Sequence, residues 1–290
     1  MKELRQIAAK LLTDGAVKVV IGWEEGPRGA RAAFVTRPED AERLIFDARC
    51  VQNLATYLSP RRRHVVGLGK AAVVAKPCDA KAIAGLIRES QVKREDVVIL
   101  GVRCGGVVRE PTMPASLTAE TVADRCGICE TREPTLYDHL IGGPQPEPPR
   151  VTRREEQIAA LMQKTPQERF AFWSQQLERC IRCHACREVC PMCFCEQCVA
   201  DKTRPVWIES SSHPRANFAW QMTRVMHQAG RCVDCGECER ACPVGIPLNL
   251  LTRYTAQSVE KRFGHKPSDD PSIAAPIGTF RSDDSQEFIR

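Results

Sequence analysis

The chain's chemistry is concentrated in its thiols. Of 16 cysteines in 290 residues, 11 lie between Cys180 and Cys242. Two stretches there repeat one spacing. Cys180, Cys183, Cys186 and Cys190 precede Pro191, and Cys232, Cys235, Cys238 and Cys242 precede Pro243. Each reads C-x2-C-x2-C-x3-C-P, the run that ligates paired iron–sulfur clusters, with the fourth cysteine of each run serving the other cluster. Three cysteines two residues apart wrap a tight loop round one face of a cubane, and backbone N–H groups in that loop offset the charge on the sulfurs. The fourth starts a short helix too far away to close the same cubane. One cluster is therefore expected on Cys180, Cys183, Cys186 and Cys242, and a second on Cys232, Cys235, Cys238 and Cys190. The alternative is a pair of zinc knuckles, but zinc sites usually pair two cysteines and then leave a longer gap.

These eight cysteines and two prolines resemble the dicluster ferredoxin family over roughly Leu177 to Leu250. The resemblance implies two [4Fe-4S] clusters close enough for electron transfer. The chain departs from that family in one respect: 41 residues separate Cys190 from Cys232. This insertion, 191–231, holds MCFCEQC, Trp207, Trp220 and a helical stretch.

Within it, Cys193, Cys195 and Cys198 form C-x-C-x2-C. Such a set suits a further metal site that lacks a ligand, which Cys50, His184, His213 or a partner residue would supply. The metal is either a fourth cluster or zinc. The alternative is a group of small buried thiols beside the clusters. A separate set lies nearer the N-terminus. Cys78 and Cys104 each follow an apolar strand pattern, and strand ends of a parallel sheet are where ligands bind. Cys126 and Cys129, in DRCGIC, complete four thiolates. A third [4Fe-4S] cluster is expected there, against a structural zinc or a chance grouping of buried cysteines. The runs VVAKPCDAKAIAGLIRE, VVILGVRCGG and CGIC, spanning about 65–132, resemble beta subunits of deazaflavin-reducing hydrogenases and related formate dehydrogenases. That resemblance implies one cluster and a flavin (FAD) exchanging electrons with a hydride carrier. Here, however, the α/β part is short and precedes the dicluster unit, so nothing in the residues themselves supports FAD.

The elements that must hold these thiols divide the chain in two. Residues 1–140 read as an α/β domain with a short parallel sheet. Met1–Thr13 and Pro38–Arg49 have helical patterns, while Ala16–Ile21, Arg31–Thr36, Ala71–Ala75 and Asp96–Gly101 have strand patterns. A helix opens near Cys78, which makes one βαβ unit. Residues 141–152, GGPQPEPPRVTR, read as a linker, since prolines and glycines continue neither regular structure. Residues 153–263 read as a mostly α domain carrying the ferredoxin-like module. Its helices are expected at Arg153–Gln163, Thr165–Arg179, Pro214–Ala229 and Pro247–Phe263, with Phe218, Met222, Val225 and Met226 on one face of the third. Residues 264–290 read as an extended or docked tail.

Composition narrows the rest. A net charge of +6 from 42 Lys+Arg against 36 Asp+Glu is a mixed surface, not a nucleic-acid footprint. No apolar run approaches a membrane span, and the amphipathic start lacks an export signal, so a cytoplasmic protein is expected. GLGK at 67–70 lacks the spacing of a dinucleotide or P-loop fingerprint and reads as a turn. Arg61, Arg62, Arg63 and His64 read as a solvated basic loop, or as a grip for a phosphate or an acidic partner. No catalytic constellation for hydrolysis or group transfer is present. The expected function is an electron-transfer subunit of an anaerobic oxidoreductase complex, such as a hydrogenase, formate dehydrogenase or heterodisulfide-reductase-like assembly, partnered by catalytic and flavin or iron–sulfur subunits. The alternatives are a flavin-containing subunit that reduces a hydride carrier itself, and a zinc-stabilised interaction module.

Overall fold

The computed structural model describes residues 1–283. Helix α1 (Lys2–Thr13) buries Leu4 and Ala8, one turn apart, on the N-terminal core. Strands β1 (Val19–Gly26) and β2 (Gly29–Val35) form an antiparallel hairpin. The expected helix over Pro38–Arg49 is not formed. Pro38–Arg43 is a 3₁₀ helix, and β3 (Leu44–Ile45) then pairs with β1. The sheet wins here because Leu44 is wholly buried against it and Arg43 reaches Glu24 on β1. Tertiary burial outweighs a local propensity worth tenths of a kcal/mol per residue.

A short helix, α2 (Arg63–Val66), leads through the GLGK turn to β4 (Ala71–Ala75), α3 (Pro77–Arg88) and β5 (Val97–Val102). Next come α4 (Asp124–Gly127) and β6 (His139–Ile141). The sheet order is β2-β1-β4-β5-β6, with β3 also on β1. Strands β1, β4, β5 and β6 run parallel. The parallel sheet is thus as expected, with an antiparallel hairpin on one edge. Ala75 pairs with Gly101, so β4 and β5 end together, and the chain leaves that edge toward Cys78 and Cys104.

Residues 142–152 form no helix or strand. The remainder is helical: α5 (Arg153–Met162), α6 (Pro166–Glu178), α7 (Ala185–Glu188), α8 (Pro214–His227), α9 (Glu237–Arg240) and α10 (Leu248–Phe263). Helix α6 starts on a reciprocal capping box between Thr165 and Glu168.

The two parts interlock. Met192, in the insertion, is buried in the core of the sheet domain. Half of the basic run does not lie free in solvent: Arg63 and His64 are exposed, but Arg61 and Arg62 both pair with Glu188 and also donate to the carbonyls of Cys193 and Glu188. These side chains are spent on holding the cysteine block against the sheet domain. The tail docks in part on its own chain, where His265 is buried and bonds the Gly230 carbonyl at 2.9 Å. The last seven residues of the expected tail, 284–290, lie outside the described residues.

Candidate metal centres

The two repeated runs share a backbone. Arg182 and His184 have φ of 58° and 59°, and Asp234 and Gly236 have φ of 56° and 69°. These pairs flank the middle cysteine of each run. A left-handed residue on both sides coils the loop tightly, which is costly for residues other than glycine. Helices α7 and α9 begin directly after these loops and carry the third cysteines, Cys186 and Cys238.

Each expected quartet of thiols surrounds one cavity. Cys180, Cys183, Cys186 and Cys242 line the first, of about 310 Å³, with His184, Trp220 and Gln221 beside them. Cys190, Cys232, Cys235 and Cys238 line the second, of about 350 Å³, with Arg224, Gln228 and Asn249. Cys78, Cys104, Cys126 and Cys129 line the third, which is larger at about 1210 Å³ and open to solvent. Cys232 also lines this third cavity, so the second and third share a wall. Among the described residues no three Cys, His, Asp or Glu side chains are gathered closely enough to hold a single metal ion. Zinc needs its sulfurs about 2.3 Å from one point, whereas a four-iron cubane takes each thiolate at a separate corner. Four cysteines spread round a cavity fit the second geometry.

Backbone N–H groups already point at several of these sulfurs. Gly106 donates to Cys104 Sγ, Val107 to Cys126 Sγ and Ile246 to Cys242 Sγ, each at 3.4 Å. Burial pushes the free thiols up: Cys104 to about 11 and Cys232 to about 12, with Cys78 and Cys235 well above the ordinary value. Iron must therefore displace protons on binding these sites.

The third cavity rests on a locked segment at the start of α3. The Asp79 carboxylate accepts from the backbone N–H groups of Lys76 (2.9 Å) and Leu54 (2.7 Å). Lys76 Nζ lies 3.0 Å from the same carboxylate and 4.0 Å above the centre of the Trp23 ring. It also donates to the Gln52 carbonyl at 2.6 Å. Both charges are almost fully buried. Burial opposes the Lys76 charge, but Asp79 and the neighbouring Cys78 and Cys104 outweigh it and hold its value up.

Other expected ligands are not brought together. Cys193 lies beside Gln228, whose Nε2 is 3.4 Å from its sulfur. Cys195 is exposed, and Cys198 packs with Ala200, Ile208 and Trp220. His184 stacks edge-on against Trp220, and His213 pairs with Glu209. Cys50 is buried in the sheet-domain core.

Helix α8 corrects one reading and supplies residues that reading missed. Beside buried Ala216, Trp220 and Val225 its inner face carries a polar stripe: Asn217, Gln221 and Arg224, continued by Gln228 just beyond its end. Of the four apolar residues expected on one face, Val225 is buried, Phe218 and Met222 are partly buried and Met226 is exposed. Asn217 donates to the Cys180 carbonyl at 2.7 Å, and Gln221 Nε2 stands 3.9 and 3.8 Å from the sulfurs of Cys180 and Cys186. The spacing 217, 221, 224, 228 is itself helical, and read for polar residues it would have pointed to this face.

A family model for the 4Fe-4S dicluster domain matches residues 176–246. The chain carries a 4Fe-4S dicluster domain. That domain includes both repeated runs and the helix-bearing insertion between them. Over nearly its whole length the chain is also distantly similar to two curated proteins. It is 24% identical to the F420-dependent formate dehydrogenase subunit beta of Methanocaldococcus jannaschii, covering 91% of this chain and 89% of that protein. It is 23% identical to the F420-dependent formate dehydrogenase 1 subunit beta of Methanococcus maripaludis, covering 92% and 90%. The chain is an iron–sulfur protein related to these beta subunits. No helix among the described residues is long and apolar enough to cross a membrane.

Proposed function

We propose that the chain is an electron-relay subunit with three [4Fe-4S] sites arranged in a row. The first set is Cys180, Cys183, Cys186 and Cys242, the second Cys232, Cys235, Cys238 and Cys190, and the third Cys78, Cys104, Cys126 and Cys129. The observation that carries the order is Cys232, which lines both the second and third cavities. Cys183 and Ile181 are exposed at the first set, which puts one end of the row at the surface. Bound clusters supply one-electron transfer. The protein aims N–H groups at sulfurs and places charge near them. The beta-subunit relatives suggest that one partner is the catalytic subunit of an oxidoreductase such as a formate dehydrogenase.

Anaerobic iron and sulfide analysis tests the number of sites. About twelve of each per chain are expected, against about eight for the dicluster domain alone. Cys78→Ser is expected to remove about four irons and leave the rest. An unchanged iron content would refute the third site, and zinc without sulfide would refute the whole reading.

A second reading is favoured by the size of the third cavity. It exceeds the other two severalfold; Lys81 and Arg132 line it, as do Arg253 and Lys266, which pair with Asp234 and Glu260 of the same wall. A basic, partly open cavity fits an anionic cofactor such as FAD beside the third set, and the relatives are named for dependence on F420. Flavin released on denaturing the purified protein would support this reading; its absence from fully iron-loaded protein would end it for the isolated chain.

A further inference from the structure

Two arginines, one buried and one largely buried, stand between successive cysteine sets. Arg224 is 2% exposed. Its Nη2 donates to the carbonyl of Cys186, in the first set, at 3.0 Å. The same side chain lines the second cavity beside Cys232, Cys235 and Cys238. Its Nε and Nη1 are buried with no hydrogen-bond partner, although a buried guanidinium left unpaired is costly. Among the described residues it pairs with no carboxylate. Arg125 holds the matching place one step along. It lines the third cavity next to Cys126, and its Nη1 lies 3.2 Å from where a Cβ on Gly236 would stand, beside Cys235 of the second set. Its charge is partly met by Glu237, 3.8 Å away.

We propose that each arginine is a positioning residue that sets the reduction potentials of two neighbouring clusters: Arg224 those of the first and second, Arg125 those of the second and third. This rests on reading the three cysteine sets as [4Fe-4S] sites. Reduction adds one electron and no proton, so each cluster gains negative charge. A fixed cation in a water-poor interior stabilises the reduced form more than the oxidised one and raises the potential. The unpaired Nε and Nη1 of Arg224 would then find their partners in the anionic sulfurs. Arg224 should act more strongly than Arg125, because no carboxylate offsets it. The polar stripe of α8 follows from the same need, since an apolar helix could not hold a guanidinium at this depth.

The test is an anaerobic redox titration of the full-length, iron-loaded chain, followed by electron paramagnetic resonance. Arg224→Gln is expected to lower the first and second potentials together and leave the third. Arg125→Gln should lower the second and third and leave the first, by less. Arg224→Lys should restore most of the loss, which a purely structural role would not predict. A shift confined to one cluster, or none at full iron content, overturns the proposal. If Arg224→Gln loses iron, Gln221→Glu replaces it, placing a negative charge beside Cys180 and Cys186. An unshifted first potential in that variant also overturns the proposal. A wild-type protein with about eight irons would instead remove only the third site, and Arg224 would still be judged on the other two.

Discussion

The N-terminal cysteine set and the C-terminal pair arrange the same number of thiols per site in different ways. In the C-terminal pair, each loop contributes three cysteines within seven residues, and left-handed residues flanking the middle one coil it. The N-terminal set draws on the ends of two strands and on a separate loop, from Cys78 to Cys129. Its thiols converge only because β4 and β5 run parallel and end together. The repeated runs carry their geometry locally, whereas the dispersed set borrows its geometry from the whole sheet. The cavities differ accordingly: about 310 and 350 Å³ for the pair and about 1210 Å³ for the other. A site built mostly from one loop fits one cluster, while a site built from a fold leaves room for a neighbour.

The sharpest way to break this comparison is to disturb the sheet edge without touching a cysteine. Asp79→Ala removes the partner of buried Lys76 and two backbone acceptor contacts at the start of α3. Breaking a buried pair on one side costs about 3–5 kcal/mol. Chemical denaturation should show that loss. The iron missing from the variant should be the third site's share, with the dicluster signals intact. Equal loss from all three sites would mean that the C-terminal pair depends on the sheet as much as the third set does.

A milder disturbance uses Gly127, between Cys126 and Cys129. A Cβ there would fall 2.2 Å from Val151 Cγ2 and 2.7 Å from the Val151 backbone nitrogen. Gly127→Ala is therefore overpacked, at a cost of about 1–3 kcal/mol. The third site's cluster should be lost faster to a chelator than in the wild type, while loss from the other two is unchanged.

The same contrast explains what could be read without coordinates. The eight repeated cysteines were legible because their spacing alone encodes the loop, and the matching backbone angles at 182, 184, 234 and 236 show that encoding. That Cys78 and Cys104 follow neighbouring strand ends and line one cavity was legible through the rule for parallel strands. Lys76, Asp79, Arg125 and Arg224 were not, because a buried charge looks like a surface charge until its partner is known. On α8 the apolar spacing locates buried Val225 but not the polar stripe beside it, which thiols and backbone carbonyls draw inward. Strand β6 is three residues long and owes its pairing to β5, so no local pattern announces it. The helix expected over Pro38–Arg49 lost to burial of Leu44 on β1.

The smallest expected effect belongs to Cys50, one of four cysteines outside the three sets. Cys50 is wholly buried, and burial pushes its thiol from 9.0 up to about 12. A neutral buried thiol supports the folded state fully below the ordinary thiol value. Because the folded value is the higher one, that support is lost as pH rises from about 9 toward 12. At pH 8 the folded, iron-loaded protein should leave Cys50 unlabelled by iodoacetamide while exposed Cys195 reacts. Cys50→Ala should keep the full iron content, since this side chain touches none of the three cavities. Mass spectrometry of the labelled peptides checks the first expectation and iron analysis the second. Rapid labelling of Cys50, or iron lost with it, would mean that the sheet domain's core opens to the cluster sites, so that the fold does not hold its dispersed thiols as rigidly as the loops hold theirs.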